Sequence, residues 1–137
     1  LLLAIGLVVT SPRDGAVAAA VAPGHEKFDE ARLAALRKEG RPVFLYFTAD
    51  WCLTCKVNEA AAIDRSEVRD AFKAARVTVL AGDWTNGDPA ITRFLESRGR
   101  AGVPLYLWYS PGKPPEELPQ VLTPAMLIDR ARSLPKP

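Results

Sequence analysis

The sequence contains only two cysteines, one histidine and one methionine in 137 residues, and each shortage narrows the function. Cys52 and Cys55 lie three positions apart, so they cannot build the multi-bridge framework that staples small secreted domains. A structural zinc site usually takes four Cys or His ligands, and the sole histidine, His25, is distant in sequence from the pair. The spacing therefore points to redox chemistry, with no metal and no cofactor expected. Charge of one sign is not concentrated anywhere: 18 basic and 16 acidic residues interleave along the chain. Without a basic block or a basic-aromatic stripe, nucleic acid is not an expected partner. No apolar run reaches the roughly 20 residues that span a bilayer core. There is no internal repeat.

What is present is a globular composition, 48% apolar and 25% charged, enough for one domain with a real core. The apolar run Leu1 to Val9, which opens on leucine, reads as the tail of a transmembrane helix cut from a longer precursor. A signal-peptide core before an Ala-rich cleavage region is the competing reading, disfavoured by Arg13 and Asp14. A frayed apolar start of a cytosolic protein is the plain alternative. Residues 10 to 24, rich in Ala, Gly and Pro, read as a linker. The expected organisation is 1–24, the end of a transmembrane or signal segment plus flexible linker, and 25–137, one folded domain.

Within that domain Asp29 is placed to cap a helix, with Phe28 and Leu33 closing over it, Leu33 and Leu36 on one face and Gly40 as the stop. Val43 to Ala49 is nearly continuous apolar sequence, the pattern of a central strand covered on both faces. A helix is expected from the cysteines to about Ala62, and Ser66 is expected to cap a short helix carrying Val68 and Phe72. Val77 to Ala81 reads as a second buried strand. Asp88 and Pro89 open a helix with Ile91, Phe94 and Leu95 on its face, ended by Gly99. Leu105 to Tyr109 and, more weakly, Leu118 to Leu122 read as strands, and Thr123-Pro124 opens a last helix with Leu127, Ala131 and Leu134 on one side. A βαβ half followed by a ββα half predicts an α/β domain, a mixed central sheet flanked by helices on both faces, which is the thioredoxin fold.

The segment Trp51-Cys52-Leu53-Thr54-Cys55 falls where the first long strand ends and a helix begins, a far more specific context than a C-x-x-C in a loop. Unpaired amides at a helix start favour a negative sulfur, which raises the thiolate fraction of Cys52. Cys55, one turn deeper, is placed to attack a mixed disulfide on Cys52. An inert local disulfide, or a pair of buried thiols, is the bland reading. A Cu(I)-binding module is the non-enzyme rival, although the only methionine, Met126, lies in the last helix. Glu59 shares the helical face of both cysteines and is a candidate proton relay, against the alternative of a solvated surface glutamate. Lys56 reads more simply as a solvated lysine. Pro104 either begins the third strand or follows a cis bond, and the sequence leaves both open.

Taken together, TADWCLTCKVNE, GDWTNGDPAIT, GVPLYLWY and LPQVLTP resemble the C-terminal thioredoxin-like domain of the DsbD family of thiol:disulfide interchange proteins, over roughly Glu26 to Leu134. The resemblance implies a disulfide reductase on the periplasmic side of the bacterial inner membrane, tethered to a membrane domain. It implies that electrons arrive from that membrane domain and leave for an N-terminal periplasmic domain of the same precursor and other periplasmic thiol proteins, serving isomerases and cytochrome c biogenesis. It carries Cys52 over as nucleophile, Cys55 as resolving cysteine, Glu59 as the acid near the pair and Pro104 as a cis-proline facing them, with Trp51 and Val103 beside the substrate. Many thioredoxin-like relatives have a buried aspartate six residues before the first cysteine, where this chain has Tyr46. That substitution shifts proton handling onto Glu59 or water. A free-standing periplasmic thioredoxin-like protein is the enzyme alternative.

Overall fold

In the computed structural model, residues 21–136 are described. The expectations for residues 1 to 20, a membrane or signal segment and most of a linker, lie outside them. Five strands form one mixed sheet in the order β1-β3-β2-β4-β5: β1 (Glu26–Lys27), β2 (Val43–Thr48), β3 (Thr78–Asp83), β4 (Leu105–Tyr109) and β5 (Glu116–Glu117). β3 runs parallel to both β1 and β2, while β4 is antiparallel to β2 and to β5. All six residues of β2 are buried, as its continuous apolar run requires of a strand covered on both faces.

The side chains of β2 and β4 alternate between two cores. Val43, Leu45, Phe47, Leu105 and Leu107 meet Leu33 and Leu36 of α1 (Glu30–Lys38) and Ile91 and Leu95 of α4 (Pro89–Ser97). Phe44, Tyr46, Tyr106 and Trp108 meet Val68 and Phe72 of α3 (Ser66–Ala74) and Leu127 and Ala131 of α5 (Pro124–Arg132). The thioredoxin-fold expectation is met: a mixed sheet between two helical layers.

The end signals work as read at α1, α4 and α5. Asp29 accepts from the Arg32 amide at 2.9 Å, Asp88 caps α4 in front of Pro89, and Thr123 caps α5. Gly40 and Gly99 take left-handed φ angles of 71° and 70° at the stops of α1 and α4.

Several boundaries differ from the sequence reading. Ser66 is the first residue of α3 and not its cap; Arg65 holds the cap position without a side-chain bond. The helix expected to run to Ala62 is α2 (Leu53–Asn58) followed by one π-helical turn (Glu59–Ile63), in which the Asp64 amide reaches back five residues to the Glu59 carbonyl at 2.8 Å. The last strand is Glu116–Glu117, not Leu118 to Leu122. Leu118 still donates to the Tyr106 carbonyl, but past Pro119 the Gln120 carbonyl is drawn to Asn58, and the apolar residues that suggested a strand are recruited individually: Leu118 and Leu122 are buried in the core while Val121 is exposed.

Candidate active site at the start of α2

β2 delivers Ala49 to the end of the sheet, and the chain turns through Asp50 and Trp51 into α2. Cys52 stands at the cap of that helix with an extended backbone, φ −92° and ψ 101°, and its sulfur accepts from the Cys55 amide at 3.2 Å. Cys52 and Cys55 are joined as a disulfide with their Cα atoms 5.2 Å apart. Their environments differ in the way the reading required: Cys55 is fully enclosed, whereas Cys52 keeps 8% of its surface in contact with solvent. Met126 packs against the core on the α3/α5 side, in α5, so it does not support the copper reading as a third soft ligand.

Val103 packs against Ala49, Cys52 and Cys55, and the Val103–Pro104 bond is cis, which resolves the alternative left open by the sequence. Trp51 is 61% exposed beside the pair. Its indole N–H donates to the Thr85 carbonyl at 3.1 Å, and its ring lies 6.0 Å from that of Trp84. The Thr85 hydroxyl receives the Asp50 amide at 2.9 Å, and the Trp84 amide donates to the Thr48 carbonyl at 2.7 Å. The Asp83-Trp84-Thr85 stretch at the end of β3 thus buttresses the turn that carries Cys52.

Glu59 opens the π turn, one helical turn beyond Cys55, with its side chain only 17% exposed. Its carboxylate accepts from the Thr48 hydroxyl at 2.9 Å and from Lys56 Nζ at 3.2 Å. The solvated-glutamate alternative is therefore not what the structure shows. Lys56, the expected solvated lysine, is engaged by Glu59 and lies 4.0 Å from Asp50.

Asn58, and the partner of Tyr46, escaped the sequence reading. Asn58, 2% exposed, donates to the Tyr106 hydroxyl at 2.9 Å and the Gln120 carbonyl at 2.6 Å, and accepts from the Leu122 amide at 3.0 Å. It sits three residues after Cys55, so a polar residue on the inward face was the signal available. Tyr46, in place of an acid, meets His25 through a 2.8 Å contact between Oη and Nδ1. Burial, reinforced by the negative charge of Glu59, holds the Tyr46 phenol far above its usual range, and burial also lowers His25. The Tyr106 phenol is pushed up to about 12, chiefly by burial. Both phenols are thus neutral hydrogen-bonding groups at ordinary pH.

Residues 25–111 match the thioredoxin-like family model. The chain is 36% identical over 83 residues to the thiol:disulfide interchange protein DsbD 1 of Pseudomonas aeruginosa, covering 61% of this chain and 14% of the relative. It is 29% identical over 119 residues to DsbD of Escherichia coli, covering 80% and 21%. The chain therefore spans a small fraction of these curated relatives. Among solved structures, the C-terminal domain of Neisseria meningitidis DsbD in its oxidised form superimposes with a TM-score of 0.62 at 26% identity, covering 78% of this chain and 97% of that one. A Thermus thermophilus thioredoxin superimposes with a TM-score of 0.61 at 19% identity and shares the fold. A C-x-x-C disulfide at a strand-to-helix junction, together with these interchange-protein relatives, marks a disulfide oxidoreductase domain. The chain belongs to the thioredoxin-like family.

Proposed function

We propose that the domain is a disulfide reductase that takes electrons from a membrane domain and hands them to thiol proteins on the periplasmic side of the bacterial inner membrane. The observation that carries this reading is the asymmetry of the pair: a disulfide in which Cys52 keeps 8% of its surface in contact with solvent and Cys55 none. In the reduced protein Cys52 attacks a partner disulfide as thiolate, forming one S–S bond and expelling one partner thiolate. Cys55 then loses its proton and attacks the Cys52 sulfur, which re-forms the Cys52–Cys55 disulfide and expels the second partner thiolate. Two electrons and two protons have passed to the partner. A membrane-domain dithiol restores the reduced pair by the reverse exchange.

Glu59, held by Thr48 and Lys56 one helical turn beyond Cys55, is the group assigned to the Cys55 proton. Trp51 and the partly buried Val103 form the surface a partner meets first, with Pro104 buried behind them. Consistent with such contacts, the exposed large apolar side chains among the described residues are Trp51, Leu53, Val57 and Val121; three belong to the C-x-x-C segment and its helix, and Val121 sits between two residues bonded to Asn58 of that helix. No helix among the described residues is long and apolar enough to cross a membrane. The tether belongs to the larger protein that the DsbD relatives suggest.

The reading is tested with Cys55→Ser. Reduced Cys55→Ser mixed with the oxidised N-terminal periplasmic domain of a DsbD relative is expected to accumulate a mixed disulfide through Cys52, visible on non-reducing gels and removed by dithiothreitol. Turnover of that partner by the variant at the wild-type rate would refute the two-cysteine mechanism.

A further inference from the structure

We propose that Arg100 is a positioning residue that fixes the Val103–Pro104 rim of the exchange site by joining the Pro104 carbonyl to Glu117 at the sheet edge. The proposal rests on the disulfide-exchange reading of the cysteine pair.

β5 is too short to finish the ladder beside β4. Its register pairs Trp108 with Glu116 and Leu107 with Glu117, and the Leu118 amide then donates to the Tyr106 carbonyl at 2.9 Å. Carbonyls two residues apart on a strand point the same way, so the Pro104 carbonyl faces the position where a longer β5 would offer its next amide. That amide does not arrive, because the chain passes Pro119 and the Gln120 carbonyl is drawn to Asn58. Arg100 takes its place: Nη2 lies 3.1 Å from the Pro104 oxygen and Nη1 lies 3.4 Å from Glu117 Oε1. A guanidinium fork reaches a carbonyl and a carboxylate together, which a lysine ammonium does with much less geometric control.

The root of this side chain is fixed. The Arg100 amide donates to the Leu95 carbonyl and the Gly99 amide to Glu96, both at 2.9 Å, closing the end of α4 with a left-handed glycine between them. The far end of the held segment is Val103, which packs directly on Ala49, Cys52 and Cys55. Arg100 thus connects the stop of α4, the edge strand and the wall beside the sulfurs. A protein substrate has to seat its backbone against that wall before its disulfide meets Cys52, whereas a small aromatic disulfide needs only the sulfur. Loosening the rim should therefore weaken protein substrates selectively.

The test uses the full chain as Arg100→Met, Arg100→Lys and Glu117→Gln, assayed for reduction of insulin disulfides with dithiothreitol as terminal reductant and, pre-reduced and freed of it, for single-turnover reduction of 5,5′-dithiobis(2-nitrobenzoate), with thermal melts alongside. Arg100→Met is expected to raise KM for insulin by about five- to tenfold with little change in kcat, the loss of one charge-assisted bond. The small disulfide should react at the wild-type rate. Arg100→Lys should recover part of the KM, and Glu117→Gln, which leaves Arg100 and the cysteines untouched, should show a smaller rise of the same kind. Insulin KM values unchanged in Arg100→Met and Glu117→Gln would overturn the proposal, as would a parallel fall in both reactions, which marks general damage to the fold. A wild-type chain that reduces neither substrate would overturn the exchange reading and this proposal with it.

Discussion

The Cys55 amide donates to the Cys52 sulfur across 3.2 Å, so the residue that closes the first turn of α2 also supplies a backbone partner to the outer sulfur. The same turn buries Cys55 completely and leaves Cys52 at 8% exposure. A thiolate at Cys52 in the reduced protein would keep that partner, which favours ionisation of the outer sulfur over the inner one. Brief alkylation of the reduced protein with iodoacetamide, read by mass spectrometry, is expected to label Cys52 well before Cys55. Preferential labelling of Cys55 would reverse the assigned roles.

Glu59 places a carboxylate one turn beyond Cys55, where its charge opposes formation of a second anion. Glu59→Gln preserves the size of the side chain and a carbonyl acceptor for Thr48 while removing the charge. The pH profile of exchange is expected to move to lower pH, because the thiols ionise more easily without a negative neighbour. An unmoved profile would reduce Glu59 to a structural partner of Thr48 and Lys56.

Asn58 ties α2 to the segment after β5 with two hydrogen bonds and to Tyr106 of β4 with a third, all from an almost fully buried amide. Asn58→Ala leaves the Leu122 amide and the Gln120 carbonyl without their partner, which is expected to destabilise the fold by ~2–4 kcal/mol. Urea denaturation of the oxidised protein measures this. A loss below about 0.5 kcal/mol would mean that water replaces the side chain.

Burial lowers the His25 pKa in the folded state, with Asp64 opposing and Arg69 reinforcing the shift, while Tyr46 faces the ring as a neutral phenol. The unfolded chain, with an ordinary histidine near 6.5, then binds the proton more tightly than the folded one. Stability from this group is fully present above about pH 6.5, is lost as pH falls from there toward the depressed folded value, and changes no further below it. His25→Gln should flatten that part of the profile in thermal melts taken between about pH 7 and 5. Identical slopes for wild type and variant would remove His25 from the account.

The legible parts of the molecule were those in which one local signal decides the outcome. β2 announced itself by an apolar run, α1, α4 and α5 by a cap with a stop or a first-turn proline, and the exchange site by C-x-x-C at a strand-to-helix junction. The illegible parts depend on partners distant in the chain. β1 contains two residues and exists only because β3 lies beside it. Asn58 reaches Gln120 and Leu122, and His25 reaches Tyr46, so neither role is written in its neighbours. The shift of the last strand has the same origin, since periodicity records that Leu118 and Leu122 are buried but not that the Gln120 carbonyl between them turns to Asn58. The π turn at Glu59 carries no proline or glycine to mark it.

The central claim is that this pair gives electrons away. Equilibration of the Cys52–Cys55 couple against defined thiol–disulfide buffers, read by alkylation, tests it most directly. A reductase is expected nearer the thioredoxin end of the scale, about −270 mV, than the DsbA end, about −120 mV. The Glu59 carboxylate acts in the same direction by disfavouring the thiolate of the reduced pair. A measured potential near the thioredoxin value supports the account; one near that of DsbA would contradict it and make the domain an oxidant.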